Sequence, residues 1–495
     1  MHPPEKARFD HGKVLKGVFY LMTGNVIGQV INLIGLPIIA RIYLPADVGL
    51  WAIFVGIGFM VQFLAGLHYD LAVVIVDDDR DAARLAVLGM GVSTVMAVLA
   101  EVFFRVLFLF DFSWITPRLH DIAPGYMPYI FLYGIFNAAT AWAIRKRAYP
   151  WLMITRFSVP LFTLVLQFVF QDNHLVGNGL ILGTLGAYAV MGVWGLGFMY
   201  KSMRPHLSGH AQALLPSLKS LAIRERGFPL YSIPRALIVS FSKEAVVLIL
   251  GFFYSLSVVG AFNMAYRALY SPMVLIGTAL AQALMPSLSE VKNEIRKFER
   301  QLLSIVRLLA WIYLPMLAFI IFHGPQAFVF VFGKQWADAG VYAGYLSMAM
   351  LGAGLTIWFE KIFDILDRQR LHLILGFWLN AGCLLVYMLA HWLTHDPEIM
   401  VLAWSASMLA YAAIWLGVAC HVCGFDLKAL GRVGGEMLVL SVVLMAGVAA
   451  AVKLPLIPQI EVLVAGFTLY GVAAWFALRR DVHHFLNGSA SGTGA

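Results

Sequence analysis

Long apolar runs alternate with short polar breaks along the whole chain. A helix needs about 20 mostly apolar residues to cross roughly 30 Å of hydrocarbon. Runs of that length fall near 17–40, 49–76, 85–109, 126–144, 151–170, 178–200 and 231–254. They continue near 258–285, 303–322, 341–363, 371–393, 399–422, 433–452 and 461–478. In lipid every backbone polar group has to be satisfied internally, so such runs predict helices. The pattern therefore predicts an all-α polytopic membrane protein with about 14 transmembrane helices.

The breaks set the organisation. The longest, 201–230, carries an amphipathic stretch, LLPSLKSLAIRERG. It separates a six-helix lobe (17–200) from a second six-helix lobe (231–422). A segment at 1–16 precedes the first lobe, a helix pair (433–478) follows the second, and a small-residue tail (479–495) comes last. A six-plus-six layout is what duplicated transporters show, with the substrate site between the halves. No internal repeat is evident in the sequence, so the duplication rests on the helix count.

Charge adds an orientation. Of the 35 Lys and Arg residues, 24 fall in breaks on the side of the amino terminus and 4 on the opposite side. The 24 include Arg80, Arg84, Arg145, Lys146, Lys201, Arg204, Arg224 and Arg226. The positive-inside rule then predicts a cytoplasmic amino terminus, and an even number of helices returns the carboxyl terminus to the same side. The first apolar run exceeds the roughly 7–15 residues of a signal-peptide core, so it is expected to remain as a membrane helix.

Composition narrows the class further. The chain is 61% hydrophobic and 13% charged, with a mean hydropathy of +0.81. Soluble domains carry about 25% charged residues. The net charge of +8 sits in clusters between apolar runs, which points away from a nucleic-acid partner and towards membrane lipids. Cys383, Cys420 and Cys423 lie in or beside apolar runs and make no disulfide framework. Cys420 and Cys423 form a lone CHVC, which lacks a second pair for zinc and is not a haem-attachment motif. There is no GxxxxGK[ST] motif, the histidines are scattered, and no external loop has room for a catalytic domain. The expectation is a protein that is not an enzyme and needs no cofactor.

Charges inside membrane runs are costly, so each is a functional candidate. The run at 231–254 carries Arg235, Ser242 and Lys243, with Ser232, on one face about 100° wide. Val239 interrupts that face midway, and Ser240 sits just off its edge. The run at 258–285 carries Asn263, Arg267 and Ser271 at i, i+4, i+8, with Tyr266 and Tyr270 alongside. The first run carries Asn25, Gln29 and Asn32 at i, i+4, i+7. Lys243 and Arg267 lie deep in their runs, and the stripes predict a water-filled cationic cavity that receives an anion, most simply a phosphate-bearing headgroup. The competing reading is structural charge pairing within the bundle.

Glu101 and Arg105 stand i, i+4 and are expected to satisfy each other. Glu244, Glu101 and Glu360 are the candidates for coupling to protons or sodium. Arg156, Arg307, Lys361 and Glu436 lie within reach of a membrane surface and are expected to snorkel. The acidic run Asp77, Asp78, Asp79 and Asp81 reads as a solvated helix start rather than a metal site.

Several stretches, in order, carry a family resemblance. LPIIARIYLPADVGLWAIF and LHYDLAVVIVDDDRDAARL resemble the opening of Wzx-type polysaccharide flippases, members of the multidrug/oligosaccharidyl-lipid/polysaccharide exporter (MOP) superfamily. FPLYSIPRALIVSFSKEAVVLILGFFYSLSVVGAFNMAYRALYSPMVLIG resembles the start of their second lobe. VFVFGKQWADAGVYAGYLSMAM resembles a Gly-x-x-Trp loop, and LDRQRLHLILGF a short basic turn at Arg368 and Arg370.

The resemblance implies two six-helix lobes with helices 1, 2, 7 and 8 lining a cavity, and those runs include all three polar stripes. It also implies export of an undecaprenyl-diphosphate-linked glycan across the bacterial inner membrane by alternating access, coupled to an ion or to the membrane potential. A polysaccharide polymerase or export machinery is the implied protein partner. Arg41 in ARIYLP and Asp70 in YDLA are family-motif positions with expected structural roles near helix ends. Two alternatives stand beside this reading. A drug or cation antiporter of the same superfamily predicts an anionic cavity. A membrane-embedded polymerase or glycosyltransferase predicts a sizeable external loop or an acidic motif.

Overall fold

The computed structural model describes residues 11–110, 120–172, 178–207, 214–290, 294–356, 363, 368–422 and 424–452. The run at 461–478, the tail at 479–495, Cys423, Glu360 and Lys361 lie outside the described residues. The chain divides into two compact units, Met1–Gly260 and Ala261–Ala495. Among the described residues there is no strand.

The first unit holds α1 (His11–Ile42), α2 (Pro45–Ala65), α3 (Tyr69–Ile75), α4 (Asp79–Leu109) and α5 (Tyr126–Arg145). It continues with α6 (Tyr149–Val169), α7 (Gly179–Leu207), the short α8 (Leu214–Arg224) and α9 (Ile233–Phe253), and α10 (Leu256–Glu290) starts at its end. The second unit adds α11 (Ile295–Phe332), α12 (Ala337–Thr356), α13 (Gln369–Thr394), α14 (Pro397–Val422) and α15 (Leu427–Val452). Among the described residues nine helices are long and apolar enough to cross a membrane. They match the predicted runs that begin near 17, 49, 85, 126, 151, 178, 303, 371 and 399. The runs at 231–254, 258–285, 341–363 and 433–452 are helical over their described residues, except that the first ends at Phe253.

One predicted run is corrected. The stretch 49–76 is two helices, because the chain breaks at Gly66–His68, with Leu67 at φ 48° and His68 at φ 58°. A left-handed backbone at two successive side-chain-bearing residues ends α2 and restarts the chain in a new direction as α3. His68 stacks on Phe63 across the break, and its Nδ1 stands 4.0 Å from Asp70 Oδ1.

In the first unit α2 is the central element. Phe54 is fully buried and stacks on Tyr126 of α5, whose hydroxyl donates to the Phe54 carbonyl at 3.2 Å. Trp51 Nε1 donates to Thr184 Oγ1 of α7 at 3.0 Å. α9 lies along α2, with Gly251 facing Ile53. The start of α2 meets the start of α10 so closely that a methyl on Gly49 would fall 1.9 Å from the Leu256 carbonyl oxygen. A larger residue there would have to push the backbones apart.

In the second unit α11 packs on α12, and α12 on α14. Tyr313 is fully buried and donates to the Met273 carbonyl at 3.1 Å, joining α11 to α10. Arg307 and Glu436 pair at 2.9 Å between α11 and α15, so these two charges meet each other.

Candidate functional site

The polar stripe of α1 is built by its neighbours. Gly24, Gly28 and Gly35 fall on one line of the helix and let α6 approach, so that methyls on Gly24 and Gly28 would each strike α6 backbone at 2.7 Å. Asn25, Gln29 and Asn32 lie about 90° round the helix from that line. Asn25 and Asn32 are exposed and Gln29 is half-buried. Beyond them Val26, Val30, Leu33 and Ile34 are exposed and apolar. Three faces therefore share one helix: one packed on α6, one polar and uncovered within the unit, and one apolar. A polar face in the middle of a membrane run is suited to water or a polar ligand rather than to lipid tails.

α9 carries Arg235 and Lys243, whose side chains, with that of Ser242, lie outside the described part. Glu244 is half-buried and enters the seam with α2, where a methyl on Gly56 would lie 3.5 Å from its Oε2. That is an ordinary contact distance, so the carboxylate lies against the Gly56 face of α2.

On α10, Phe262, Tyr266 and Tyr270 form a ladder of stacked rings with centroid separations of 6.2 and 5.1 Å. Asn263 and Arg267 are half-buried beside it, and Asn263 Oδ1 is buried with no hydrogen-bond partner among the described residues. A buried orphan acceptor is costly unless something supplies a donor, so this atom marks a place for water or ligand.

Glu101 and Arg105 of α4 pair at 2.7 Å, as their spacing predicts. Arg156 is exposed and sits where α6 crosses α1, at Gly24. Arg41 is exposed, and Asp70 lies in the first turn of α3.

The charged breaks of the first unit meet at one end of it. Asp78 caps α4 by accepting from Arg80 N at 2.9 Å. Asp79 is more than a solvated helix start: its two oxygens take Arg145 Nε at 2.7 Å and Lys146 Nζ at 2.5 Å. The Arg145 guanidinium also donates to the Val73 carbonyl at 3.1 Å, to Val76, and to Asp77 at 3.0 Å. These are the last carbonyls of α3 and its exit, which a helix leaves without internal partners. Asp81 takes Arg224 of α8 at 2.9 Å, and Tyr69 donates to the Ala222 carbonyl at 3.3 Å. In the charge pattern of the sequence Arg145 and Lys146 are only markers of topology. The signal for more was an acidic helix start facing a basic break one helix hairpin away. Among the described residues no cluster of His, Cys, Asp or Glu could hold a metal ion.

The known proteins add a family to this geometry. The family described as "polysaccharide biosynthesis protein" matches residues 38–340. No curated protein sequence matches the chain. Among solved structures the chain is similar to the lipid II flippase MurJ in an inward closed conformation. The two are 11% identical over 94% of this chain and 99% of that one, with a TM-score of 0.69. An inward-facing multidrug resistance MATE family transporter of the MOP superfamily is 14% identical over 85% of this chain and 95% of that one, with a TM-score of 0.49. The MurJ likeness shows the fold: a polytopic helical membrane bundle, as the apolar runs predict. The match across residues 38–340 covers more than half of the chain, and with it the chain belongs to the polysaccharide biosynthesis protein family.

Proposed function

We propose that the protein is a transporter that flips a lipid-diphosphate-linked oligosaccharide or polysaccharide repeat unit between membrane leaflets. The observation that carries this reading is the pairing of family and fold. A chain of the polysaccharide biosynthesis family takes the fold of MurJ, a flippase whose cargo is lipid II. Cargo of this class needs a polar path for its sugars and cationic hydrogen-bond donors for its diphosphate, while the lipid tail stays in the bilayer.

The residues assigned to that work are the predicted ones. Asn25, Gln29 and Asn32 give α1 a polar face that the first unit leaves uncovered. Arg267 and Lys243, with Arg235, supply positive charge for the diphosphate, and Asn263 supplies an unsatisfied acceptor. Glu244 is the first choice for ion coupling, because its carboxylate is held half-buried in a helix seam. Glu101 is a weaker one because Arg105 already neutralises it, and Glu360 is retained on sequence position alone. Transport runs from the cytoplasmic to the outer leaflet of a bacterial inner membrane by alternating access, with both termini cytoplasmic. The basic-residue bias supports that orientation.

Deletion and complementation test the reading. Loss of the protein leaves lipid-linked repeat units accumulating on the cytoplasmic leaflet, read by accessibility of the glycan in inverted and right-side-out vesicles. A phenotype confined to drug efflux sinks it and favours the antiporter. The double substitution Lys243→Ala with Arg267→Ala abolishes export while expression and membrane insertion persist. Normal export in that strain removes the cationic positions from the mechanism.

A further inference from the structure

A groove runs between α4 and α7 within the first unit. Val87 and Met90 of α4 form one wall, Leu196, Met199 and Met203 of α7 form the other, and Arg204 stands at the rim, around a cavity of about 460 Å³. The register explains the shape. Positions 196, 199/200 and 203/204 repeat at i, i+3/i+4 and i+7/i+8 on α7, and 87 and 90 share a face of α4. Among the described residues Arg204 is the one charged member of the lining, and three of the others are methionines, whose flexible thioethers adapt to irregular apolar guests.

The groove has a direction. α4 starts at Asp79 and α7 ends at Leu207, so the Arg204 rim lies at the charged end of the unit. From Arg204 down to Leu196 is about 12 Å along the helix axis. Tyr200, one turn below Arg204, is 69% exposed, a position that suits an amphipathic ring at the membrane surface. Arg84 lies on the same side of α4 as Val87, one turn nearer the charged end.

Positive charge is in surplus at this rim. Arg204 is exposed, and among the described residues no carboxylate is paired with it. Arg84 reaches Asp81 only at 3.5 Å, and Asp81 is already held by Arg224 at 2.9 Å. A basic rim over an apolar cleft between membrane helices is the arrangement that selects anionic headgroups.

We propose that this groove binds an anionic phospholipid of the leaflet at the charged end. One acyl chain lies along the methionine wall, and the phosphodiester sits on Arg204 with Arg84 beside it. Guanidinium suits this headgroup because its donors match two phosphate oxygens at once. A zwitterionic lipid offers the same chain and a phosphate whose charge its own ammonium offsets. The site is separate from the flipping proposed above and stands whichever cargo that reading turns out to have.

The test is native mass spectrometry on the full chain in detergent, titrated with phosphatidylglycerol or phosphatidylcholine of identical acyl chains. Wild type retains phosphatidylglycerol with a roughly tenfold preference, the factor that one to two cationic contacts supply. Arg204→Ala, at an exposed position, removes most of that preference while chain binding persists. Leu196→Trp fills the groove and lowers retention of both lipids. Equal retention of the two lipids by wild type overturns the proposal, as does an unchanged preference in Arg204→Ala or unchanged retention in Leu196→Trp. Displacement of bound phosphatidylglycerol by undecaprenyl phosphate also overturns it, because the groove then belongs to the cargo's tail.

Discussion

Helix α4 contributes to an arginine–carboxylate pair near each of its ends, with Arg145 of α5 at the start and within the helix near the finish, and the two pairs have the same length. Asp79 meets Arg145 at 2.7 Å at the start of the helix, and Glu101 meets Arg105 at 2.7 Å near its finish. Their surroundings differ. The Arg145 side chain is 10% exposed and its guanidinium binds Asp79 together with three backbone carbonyls. The Arg105 side chain is 77% exposed, and its partner stands one turn away on the same helix. Val98, Leu99, Val102, Phe103 and Val106 surround it as exposed apolar residues. The first pair joins α3, α4 and α5, while the second joins nothing that the helix does not already hold. Distance alone would rate them equal; the number of groups each guanidinium satisfies separates them.

That comparison predicts its largest effect at Arg145. Arg145→Ala leaves the carbonyls at the end of α3 without a donor and strips Asp79 of its less exposed partner. The expected loss is on the order of 3 kcal/mol, within the range for breaking a buried charged network. It reads as the greatest fall in thermal midpoint of any single substitution in these two pairs. Because α3 follows the break at Gly66–His68, proteolysis should concentrate between α2 and α4. Arg145→Lys should recover little, since an ammonium cannot present the planar fork that spans a carboxylate and several carbonyls. Full recovery by lysine would mean that charge, not geometry, holds this end together.

Asp79→Asn comes next. An amide keeps one acceptor for Arg145 or Lys146 but loses the charge, and Asp79 is 41% exposed, so solvent compensates part of the change. The expected cost is about 1 kcal/mol. Lys146 also stands 4.8 Å from the Trp142 ring centroid and 3.2 Å from His206 Nε2. Its ammonium should therefore stay near Trp142, and tryptophan fluorescence should change less in Asp79→Asn than in Lys146→Ala. A larger loss in Asp79→Asn than in Arg145→Ala would invert the ranking argued above.

The two pairs also differ in how visible they are to a reader of the chain. Glu101 and Arg105 stand four apart in a helical run, and periodicity alone places them in contact. Asp79 and Arg145 are separated by 66 positions, and no local rule joins them. Hydropathy found α5 and α6 within about two residues, 126–144 against Tyr126–Arg145 and 151–170 against Tyr149–Val169. It missed the break inside 49–76, because apolar content does not register a left-handed backbone. Gly66 beside the polar His68 and Asp70 was the trace available. The polar stripe of α1 was legible from its spacing, whereas the fact that α6 leaves it uncovered depends on where the glycine line packs. Periodicity thus reports what a helix offers, and tertiary packing decides which offer is taken up.

The smallest effect is expected at the exposed pair, and its sign is the informative part. Arg105 lies four residues before the end of α4, about 6 Å along the axis, so its long side chain can reach towards that membrane surface, while Glu101 lies about 12 Å from it. Removing one partner leaves the other uncompensated among Val98, Val102 and Val106. Glu101→Leu or Arg105→Leu alone should therefore cost about 1 kcal/mol, less than the 2.5–3.5 kcal/mol of an unpaired charge at mid-membrane because of snorkelling. Removing both replaces a paired charge by the residue type that already covers this face. Apolar replacement of an ion pair in a low-dielectric setting is commonly neutral or stabilising. The double variant should accordingly recover wild-type thermal stability in a double-mutant cycle, with a coupling energy close to the sum of the two single losses. Export should persist in it. A double variant that stays stable yet loses export would instead promote Glu101 from a local ion pair to a coupling residue, and α4 would then carry function at the end where packing asks least of it.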